Sequence, residues 1–201
     1  MTFYIIRHGQ KEPGKFFNPV LRHQDPPLSE RGIEQSIILA SSFSKTPISA
    51  IYVSAYIRTK QTIEPLAKNL GLNPIEDERL NELDNGLLDD MSEEEFKKTF
   101  PDVYRAYIAR TADFHFPGGE TGQESSDRIG SFLIEKKDVH KEENIVIVSH
   151  DGLIRVCMCT ILGLPVFHRG DFKVDLCGIT EIEFQEIVKR WKLLKFNYLV
   201  E

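Results

Sequence analysis

The chain has 201 residues, of which 41% are hydrophobic and 28% are charged, and its formal net charge is −6. These values predict a globular protein with one domain, or with one domain that carries an inserted segment. The acidic balance and the lack of a Lys/Arg run argue against nucleic-acid binding, and no apolar stretch is long enough to cross a bilayer. The N-terminal residues do not follow the pattern of a secretory signal, so we expect a cytoplasmic location.

Five apolar runs predict β-strands, at Phe3–Ile6, Ala50–Val53, Asn144–Ser149, about Ile179–Phe184 and about Trp191–Phe196. Helical patterns separate the first three runs. Strands that alternate with helices indicate an α/β fold, and we expect a three-layer α/β/α sandwich around a mostly parallel sheet.

The first helix is predicted to begin after Ser29, a favourable N-cap, with Leu28 and Ile33 as a hydrophobic staple. Helical spacing predicts that its buried face contains Ile33, Ile37, Ala40 and Phe43.

A second helix is predicted after Ser54, with a kink at Pro65 and an end at Gly71. Its apolar face contains Ile63, Leu66, Ala67 and Leu70.

Three later helices are also predicted. One opens at a capping box, Ser92–Glu95, and is limited by Pro101; a second contains Ile129, Phe132 and Leu133; the last runs from about Leu153 to Leu162 and ends at Gly163.

The segment 73–122 is polar, is interrupted by Gly and Pro, and has few strand signals. We interpret it as an insertion into a single domain of residues 1–201, covering one end of the sheet.

The three cysteines are Cys157, Cys159 and Cys177. No second Cys pair or nearby His cluster completes a zinc site, and Cys-Met-Cys lies in an apolar helical pattern. We therefore expect buried, reduced thiols.

Unusual polar residues follow three of the predicted strands: Arg7-His8-Gly9 after the first, "VSAYIRTKQT" with Arg58 after the second, and Ser149-His150-Asp151-Gly152 after the third. A parallel sheet brings the carboxyl ends of its strands to one edge, where open α/β folds bind ligands. Two guanidiniums, two imidazoles and the N-termini of the following helices would form an anion site there. A single histidine or arginine after a strand is usually an ordinary loop residue. That interpretation does not explain why such groups follow three predicted strands at equivalent positions.

These motifs, together with "DPPLSERG", "ERLNELDNG", "FPGGETGQE" and "ILGLP" in this order, resemble the histidine phosphatase superfamily, also called the phosphoglycerate-mutase-like fold. The resemblance covers nearly the whole chain. The segments around "NELDNG" and "FPGGET" most resemble the fructose-2,6-bisphosphatase and broad-specificity phosphatase branch.

The resemblance implies a role for five residues. His8 matches a nucleophile that becomes phosphorylated, Arg7, Arg58 and His150 match residues that hold the phosphoryl group, and Glu82 matches the proton donor to the leaving alcohol. Such a site stabilises charge with cations and needs neither metal nor cofactor.

The chain departs from the family pattern at three places. Gly14 stands where many relatives have a phosphate-loop Asn, and Gln10 or Asn18 are candidates to replace it, with Gly9 beside them. Asp151 replaces a Gly after the second histidine; it either contacts a substrate hydroxyl or, as we favour, caps the following helix.

The third departure is a set of cations in the loop after the nucleophile: Lys11, Lys15, Arg22 and His23. They form either a solvated face or a site for a second anionic group on the substrate. The sequence leaves both open.

The sequence therefore predicts a metal-independent phosphomonoester hydrolase that acts on a small phosphorylated metabolite through a phosphohistidine. A phosphoglycerate mutase is the alternative enzyme, and a non-catalytic module that binds phosphorylated ligands is the alternative from another class. We expect no nucleic-acid or membrane partner, and a monomer or homodimer.

Overall fold

The computed structural model describes residues 1–200, except for the side chain of Asp90. The strands in these residues are β1 (Phe3–Arg7), β2 (Phe17–Asn18), β3 (His23–Gln24), β4 (Ala50–Val53), β5 (Ile75–Glu76), β6 (Ile145–Ser149), β7 (Ile179–Gln185) and β8 (Arg190–Tyr198). The α-helices are α1 (Glu30–Ser41), α2 (Ile57–Leu70), α3 (Glu93–Thr99), α4 (Pro101–Ala109), α5 (Gly122–Val139) and α6 (Asp151–Leu162). Short 3-10 helices span Glu78–Leu80, Gly86–Asp90 and Val166–Asp171.

The central sheet has the strand order β5-β4-β6-β1-β7-β8. The first four of these strands run parallel, and β7 and β8 complete one side as an antiparallel pair. In the parallel part Arg7 lies opposite Ser149 and Val53 lies opposite Val148. The carboxyl ends of β1, β4 and β6 therefore meet at one edge of the sheet, as the sequence predicted.

Two apolar cores cover the two faces of the sheet. Because side chains alternate along a strand, Phe3 and Ile5 enter one core and Ile6 enters the other. The first core packs on α5 and α6, and the second packs on α1 and α2. This arrangement confirms the predicted three-layer sandwich.

The predicted buried face of α1 is wrong in part. Ser29 caps the helix as expected, accepting from the Gly32 N–H at 3.2 Å, but Ile33 and Ile37 are 49% and 59% exposed. The helix instead buries Gly32, Ser36, Leu39 and Ala40. The small residues on this face let the first turn of α1 approach the loop after β1, and that tertiary contact sets the rotation of the helix.

The other predicted helices are confirmed with small shifts in their bounds. Helix α2 begins at Ile57, a little after Ser54, continues through Pro65 and ends at Gly71 with a φ of 66°. The capping box at Ser92 is present, α5 contains its predicted apolar residues, and α6 ends at Gly163. The kink at Pro65 and the staple at Leu28 stay predictions.

The segment 73–122 contributes an edge strand of the sheet, β5, which its composition did not predict. Its interpretation as an insertion stays a prediction.

Cys157, Cys159 and Cys177 are free and buried, as expected. None of the helices in residues 1–200 has both the length and the apolar character that a bilayer span requires.

Candidate active site

Two backbone N–H groups of the loop that follows β1 donate hydrogen bonds to neighbouring elements and hold the loop in place. The His8 N–H donates to the Ser149 carbonyl at 3.0 Å, and the Gly9 N–H donates to Thr62 Oγ1 at 2.9 Å. A Cβ on Gly32 would lie 2.1 Å from the Gln10 carbonyl oxygen, and one on Gly9 would lie 2.9 Å from the Gly32 carbonyl oxygen. Glycine at these two positions is therefore what allows α1 to pack against the loop.

His8 is 5% exposed and is held as a neutral imidazole. Its Nδ1 donates to the Gly9 carbonyl at 2.8 Å, which leaves the lone pair on Nε2. Burial, and then the positive charge of Arg58, lower the His8 pKa to about 3, although the Gly9 hydrogen bond acts in the opposite direction. An unprotonated ring nitrogen is the form that can attack phosphorus.

His150 is fully buried, and both of its ring nitrogens have partners. Nδ1 accepts from Arg58 Nη2 at 3.1 Å, so the proton is on Nε2, which donates to Ser54 Oγ at 2.8 Å. Burial and then Arg58 place the His150 pKa well below its ordinary value. Its ring lies 5.1 Å from that of His8, centroid to centroid.

Arg7 and Arg58 both carry buried N–H groups that have no hydrogen-bond acceptor among residues 1–200. These are Nε of Arg7, and Nε and Nη1 of Arg58. Arg58 Nη1 lies 3.6 Å from Asp25 Oδ1, and the guanidinium lies 4.3 Å above the Tyr56 ring. Because buried donors without acceptors are costly, such groups indicate a site built for an anion.

Glu82 is held against the N-terminus of α6. Its Oε1 accepts from the N–H groups of Leu83 at 3.0 Å and Leu153 at 3.1 Å, and its Oε2 accepts from Gly152 at 3.4 Å. A Cβ on Gly152 would lie 2.8 Å from Glu82 Oε1, so glycine is needed for this approach. Burial raises the Glu82 pKa despite these hydrogen bonds and the charge of Arg58. A carboxyl group in this environment can hold a proton for transfer.

Arg128 fixes the backbone that carries Glu82. It donates to the carbonyls of Arg79 at 2.7 Å and Glu82 at 3.2 Å, and it forms two hydrogen bonds with the Glu120 carboxylate, at 2.7 and 3.1 Å. The Glu120 Oε1 also accepts from the Asp84 N–H at 3.1 Å. This bidentate pair ties the loop around Glu82 to α5.

The backbone N–H groups at the N-termini of α2 and α6 were predicted to bind an anion, but they donate to carboxylates of this chain. The Ile57 N–H at the start of α2 donates to Asp25 Oδ1 at 2.9 Å. At the start of α6 the Gly152 and Leu153 N–H groups donate to Glu82. Two carboxylates thus occupy N–H donors that the sequence predicts to be available to a ligand.

Asp151, predicted to cap α6, and Gln10, predicted to bind the phosphoryl group, both contact other residues of the chain. Asp151 does not cap α6: His150 is the N-cap residue, and Asp151 pairs with Arg155 at 2.7 and 2.9 Å and lies 3.7 Å from Arg7 Nη1. The Gln10 Oε1 accepts from Ser29 Oγ at 3.1 Å.

The Asn18 amide is used inside its own loop. Its Oδ1 accepts from the N–H groups of Val20 at 3.0 Å and Leu21 at 3.3 Å, and its Nδ2 donates to Asp25 Oδ2 at 3.0 Å. Asn18 thereby contacts the carboxylate that lies beside Arg58.

The cations after the nucleophile are spread over the surface. Lys15 and Arg22 are exposed, and Arg22 has a left-handed φ of 59°. Partial burial and the nearby Arg58 lower the pKa of Lys11, which borders the site. His23, Asp84 and Asp89 place one possible metal-ligand atom each within 4.8 Å of one another on a partly exposed rim.

Residues 3–198 match the family model described as histidine phosphatase superfamily, branch 1. The chain belongs to the histidine phosphatase superfamily. It is 32% identical over 196 residues to phosphoserine phosphatase 1 of Hydrogenobacter thermophilus, covering 96% of this chain and 90% of that protein. It is 30% identical over 189 residues to a probable phosphoglycerate mutase of Escherichia coli, covering 92% of this chain and 86% of that protein.

Solved structures share the fold of this histidine phosphatase. A mycobacterial glucosyl-3-phosphoglycerate phosphatase has a TM-score of 0.83 at 23% identity and covers 98% of each chain. A phosphoserine phosphatase mutant from Entamoeba histolytica, in complex with phosphoserine, has a TM-score of 0.81 at 21% identity, with 98% and 96% coverage. The predicted superfamily and fold class are confirmed, and the chain is a phosphomonoester hydrolase of this family.

The structure brings together His8, Arg7, Arg58, Glu82 and His150, all of which the sequence predicted at the site. Four supporting residues were missed: Ser54 on His150, Asp25 beside Arg58, and the ion pair of Arg128 and Glu120. Asp25, Ser54 and Glu120 lie within segments that carry the family resemblance, and Arg128 is five residues beyond "FPGGETGQ". Sequence spacing does not predict which of these residues contact one another, because the partners are far apart in the chain.

Proposed function

We propose that this histidine phosphatase hydrolyses phosphomonoesters through a phosphohistidine formed on His8, without using a metal ion. The observation that carries the proposal is the set of unpartnered, buried N–H groups of Arg7 and Arg58 around a neutral His8. A phosphoryl group bound there would satisfy these donors and would place its charge between two guanidiniums. Charge stabilisation of this kind is the main requirement of phosphoryl transfer.

In the first step the Nε2 lone pair of His8 attacks phosphorus. The N–P bond forms while the bond from phosphorus to the substrate oxygen breaks, and that oxygen takes the electron pair. Glu82, whose raised pKa favours the protonated form, gives its proton to this oxygen, and a neutral alcohol leaves. The Gly9 carbonyl accepts from Nδ1 and stabilises the charge that develops on the ring.

In the second step the Glu82 carboxylate takes a proton from water as the water oxygen attacks the phosphohistidine. The N–P bond breaks, its electron pair returns to Nε2, and inorganic phosphate leaves. Glu82 is again protonated and His8 is again neutral, so the cycle closes. In both steps His150 holds Arg58 in its orientation, because its Nδ1 accepts from the guanidinium.

The relatives support a small phosphorylated metabolite as the substrate. One is a phosphoserine phosphatase and another a probable phosphoglycerate mutase, both at 30% identity or above. The mutase is therefore the second candidate function, since it would share the phosphohistidine and differ only in the acceptor, an alcohol instead of water.

The test is rapid acid-free quenching after mixing with a ³²P-labelled phosphomonoester, followed by measurement of labelled protein and free phosphate. We expect an acid-labile, base-stable label on His8 and stoichiometric phosphate release in the presence of EDTA. Conversion of 3-phosphoglycerate to 2-phosphoglycerate with a bisphosphate primer, faster than phosphate release, would favour the mutase. Tight phosphate binding with neither label nor turnover would favour a binding module.

We also propose a cytoplasmic location and a monomeric or homodimeric state. The free thiols of the three cysteines support the location, because oxidising compartments favour disulfides. Size-exclusion chromatography with light scattering would test the oligomeric state.

A further inference from the structure

A cavity of about 250 Å³ opens beside the carboxyl group of Glu82. It lies between the end of α4, the start of α6 and the 3-10 helix Val166–Asp171, and aromatic side chains form part of its wall: Tyr107, Phe114, Phe116 and Phe167. The proposed proton donor must contact the oxygen of the leaving alcohol. The body of that alcohol therefore occupies a cavity that adjoins Glu82.

Three guanidiniums line this cavity, from Arg110, Arg155 and Arg169. The carboxyl groups on its wall are Asp151 and Glu82, and the raised pKa of Glu82 favours its neutral form. The positive charges therefore exceed the negative ones. Arg155 is matched by Asp151, which contacts it through both oxygens, so the excess comes from Arg110 and Arg169.

Arg110 ends α4 with a left-handed φ of 49°. The side chain is exposed, its Nη1 lies 3.4 Å from the Gly170 carbonyl, and no carboxylate that the structure describes lies within 4.0 Å of it. A Cβ on Gly170 would lie 2.3 Å from Arg110 Nη1. The guanidinium is thus seated against a glycine backbone that leaves room for it, and it retains donors for a ligand.

Arg169 reaches the same cavity from a distant part of the chain. Its guanidinium lies 5.0 Å from the Phe114 ring, and its Nη1 contacts the Val166 carbonyl at 3.2 Å. The nearest carboxylate, Asp113, is 3.5 Å away and already accepts from the Gly122 and Gln123 N–H groups. Arg169 is therefore positioned but incompletely neutralised.

A second, more open cavity of about 500 Å³ also adjoins Glu82, but its charges do not fit an anion. Its guanidiniums are Arg79 and Arg128, and both pair closely with carboxylates. Its wall also includes Glu78, Asp84 and Glu120. An anionic leaving group is accordingly favoured in the first cavity and disfavoured in the second.

We propose that the leaving alcohol carries a carboxylate, which Arg110 and Arg169 bind in the cavity beside Glu82. The substrate is then a small phosphorylated hydroxy acid or hydroxy amino acid, with the phosphoryl group at His8 and the carboxylate at these two arginines. This inference rests on the proposed phosphatase function and adds its substrate class. Guanidinium forks match carboxylate geometry, so two arginines on one wall suit such a group.

The test compares substrates that differ only in the carboxylate: 3-phosphoglycerate with glycerol 3-phosphate, and phosphoserine with phosphoethanolamine. For the wild type we expect a kcat/KM at least about tenfold higher for the carboxylated member of the preferred pair. Arg110→Asn, which suits the left-handed backbone, and Arg169→Gln should each remove most of this ratio, mainly through KM. Arg105→Ala is the matched control, because Arg105 lies on α4, is 76% exposed and does not line the cavity; it should keep the ratio.

Three results would overturn the inference. One is a wild-type protein that hydrolyses both members of each pair equally. That result would contradict the carboxylate site but not the phosphatase function. If no phosphate ester were hydrolysed, the phosphatase function itself would be contradicted. Another is retention of the ratio by both Arg110→Asn and Arg169→Gln, provided that their melting temperatures match the wild type. The third is loss of the ratio in a Lys15→Ala, Arg22→Ala double variant instead, which would assign the second anion to the loop after His8.

Discussion

Arg58 donates from Nη2 to Nδ1 of His150 across 3.1 Å, and the two residues are 92 positions apart in the chain. A guanidinium cannot accept a hydrogen bond, so this contact fixes the tautomer of His150 and directs its Nε2 proton to Ser54. The imidazole is thereby a positioning group, and it holds the arginine whose remaining N–H groups are unpartnered.

Arg58→Lys should lower kcat/KM for nitrophenyl phosphate on the order of 10³-fold, because an ammonium cannot contact His150 and the phosphoryl group as a planar fork. Steady-state kinetics would measure the loss, with Arg105→Lys as the control at an exposed position. A loss below tenfold would mean that Arg58 does not stabilise the transferring group.

His8→Ala should remove turnover and the covalent label while leaving the fold in place. The ring contacts polar groups, including Gly9 and the His150 ring, so its removal does not open an apolar cavity. Activity, label incorporation and the melting temperature would be compared with His168→Ala, whose histidine is paired with Asp171 at the surface. A folded His8→Ala protein with near-normal activity would rule out His8 as the nucleophile.

Glu82→Gln should slow the hydrolysis of alkyl phosphates far more than that of nitrophenyl phosphate. An alkoxide needs a proton in order to leave, whereas nitrophenolate does not; general acid catalysis is worth about 10²–10⁴-fold for the former. The amide retains the shape that contacts the N-terminus of α6. Equal losses on the two substrates would assign Glu82 to binding or to structure.

Acidification should destabilise the protein through its two buried imidazoles. The pKa of His8 is lowered to about 3 from the ordinary 6.5, and that of His150 is also lowered well below 6.5. The unfolded chain therefore binds protons that the folded chain does not, and stability present above pH 6.5 is lost as the pH falls towards 3. His8→Asn should reduce the slope of unfolding free energy against pH by about 1.4 kcal/mol per pH unit in this window. An unchanged slope in urea titrations at several pH values would contradict the prediction.

Gly32→Ala should destabilise the protein by about 1–3 kcal/mol, since the new Cβ would collide with the Gln10 carbonyl at 2.1 Å and displace the loop after His8. Gly130→Ala is the matched control on α5: its Cβ would meet Thr160 at an ordinary 3.6 Å and should stabilise by about 0.5–1 kcal/mol. Denaturant unfolding would measure both. Equal effects would show that α1 does not depend on this close approach.

The sequence was sufficient for five of the six strands of the central sheet and for the ends of most helices, and the five principal candidate site residues that it names lie together in the structure. Local chemistry determines these features. Ser29 and Ser92 cap helices with their own side chains, Gly71 and Gly163 end helices in the left-handed conformation, and strand ends in a parallel sheet must meet at one edge.

Tertiary contacts decided the rest. Periodicity assigned Ile33 and Ile37 to the core, but the approach of Gly32 to the loop after β1 turned that face of α1 to solvent. Helix N-termini were expected to bind the ligand, but Asp25 and Glu82 reach them from other parts of the chain. The two arginines beside Glu82 come from residues 110 and 169, and no local pattern pairs them. Sequence patterns specify which groups lie at a strand or helix end, whereas the partners of those groups depend on packing between segments that are far apart in the chain.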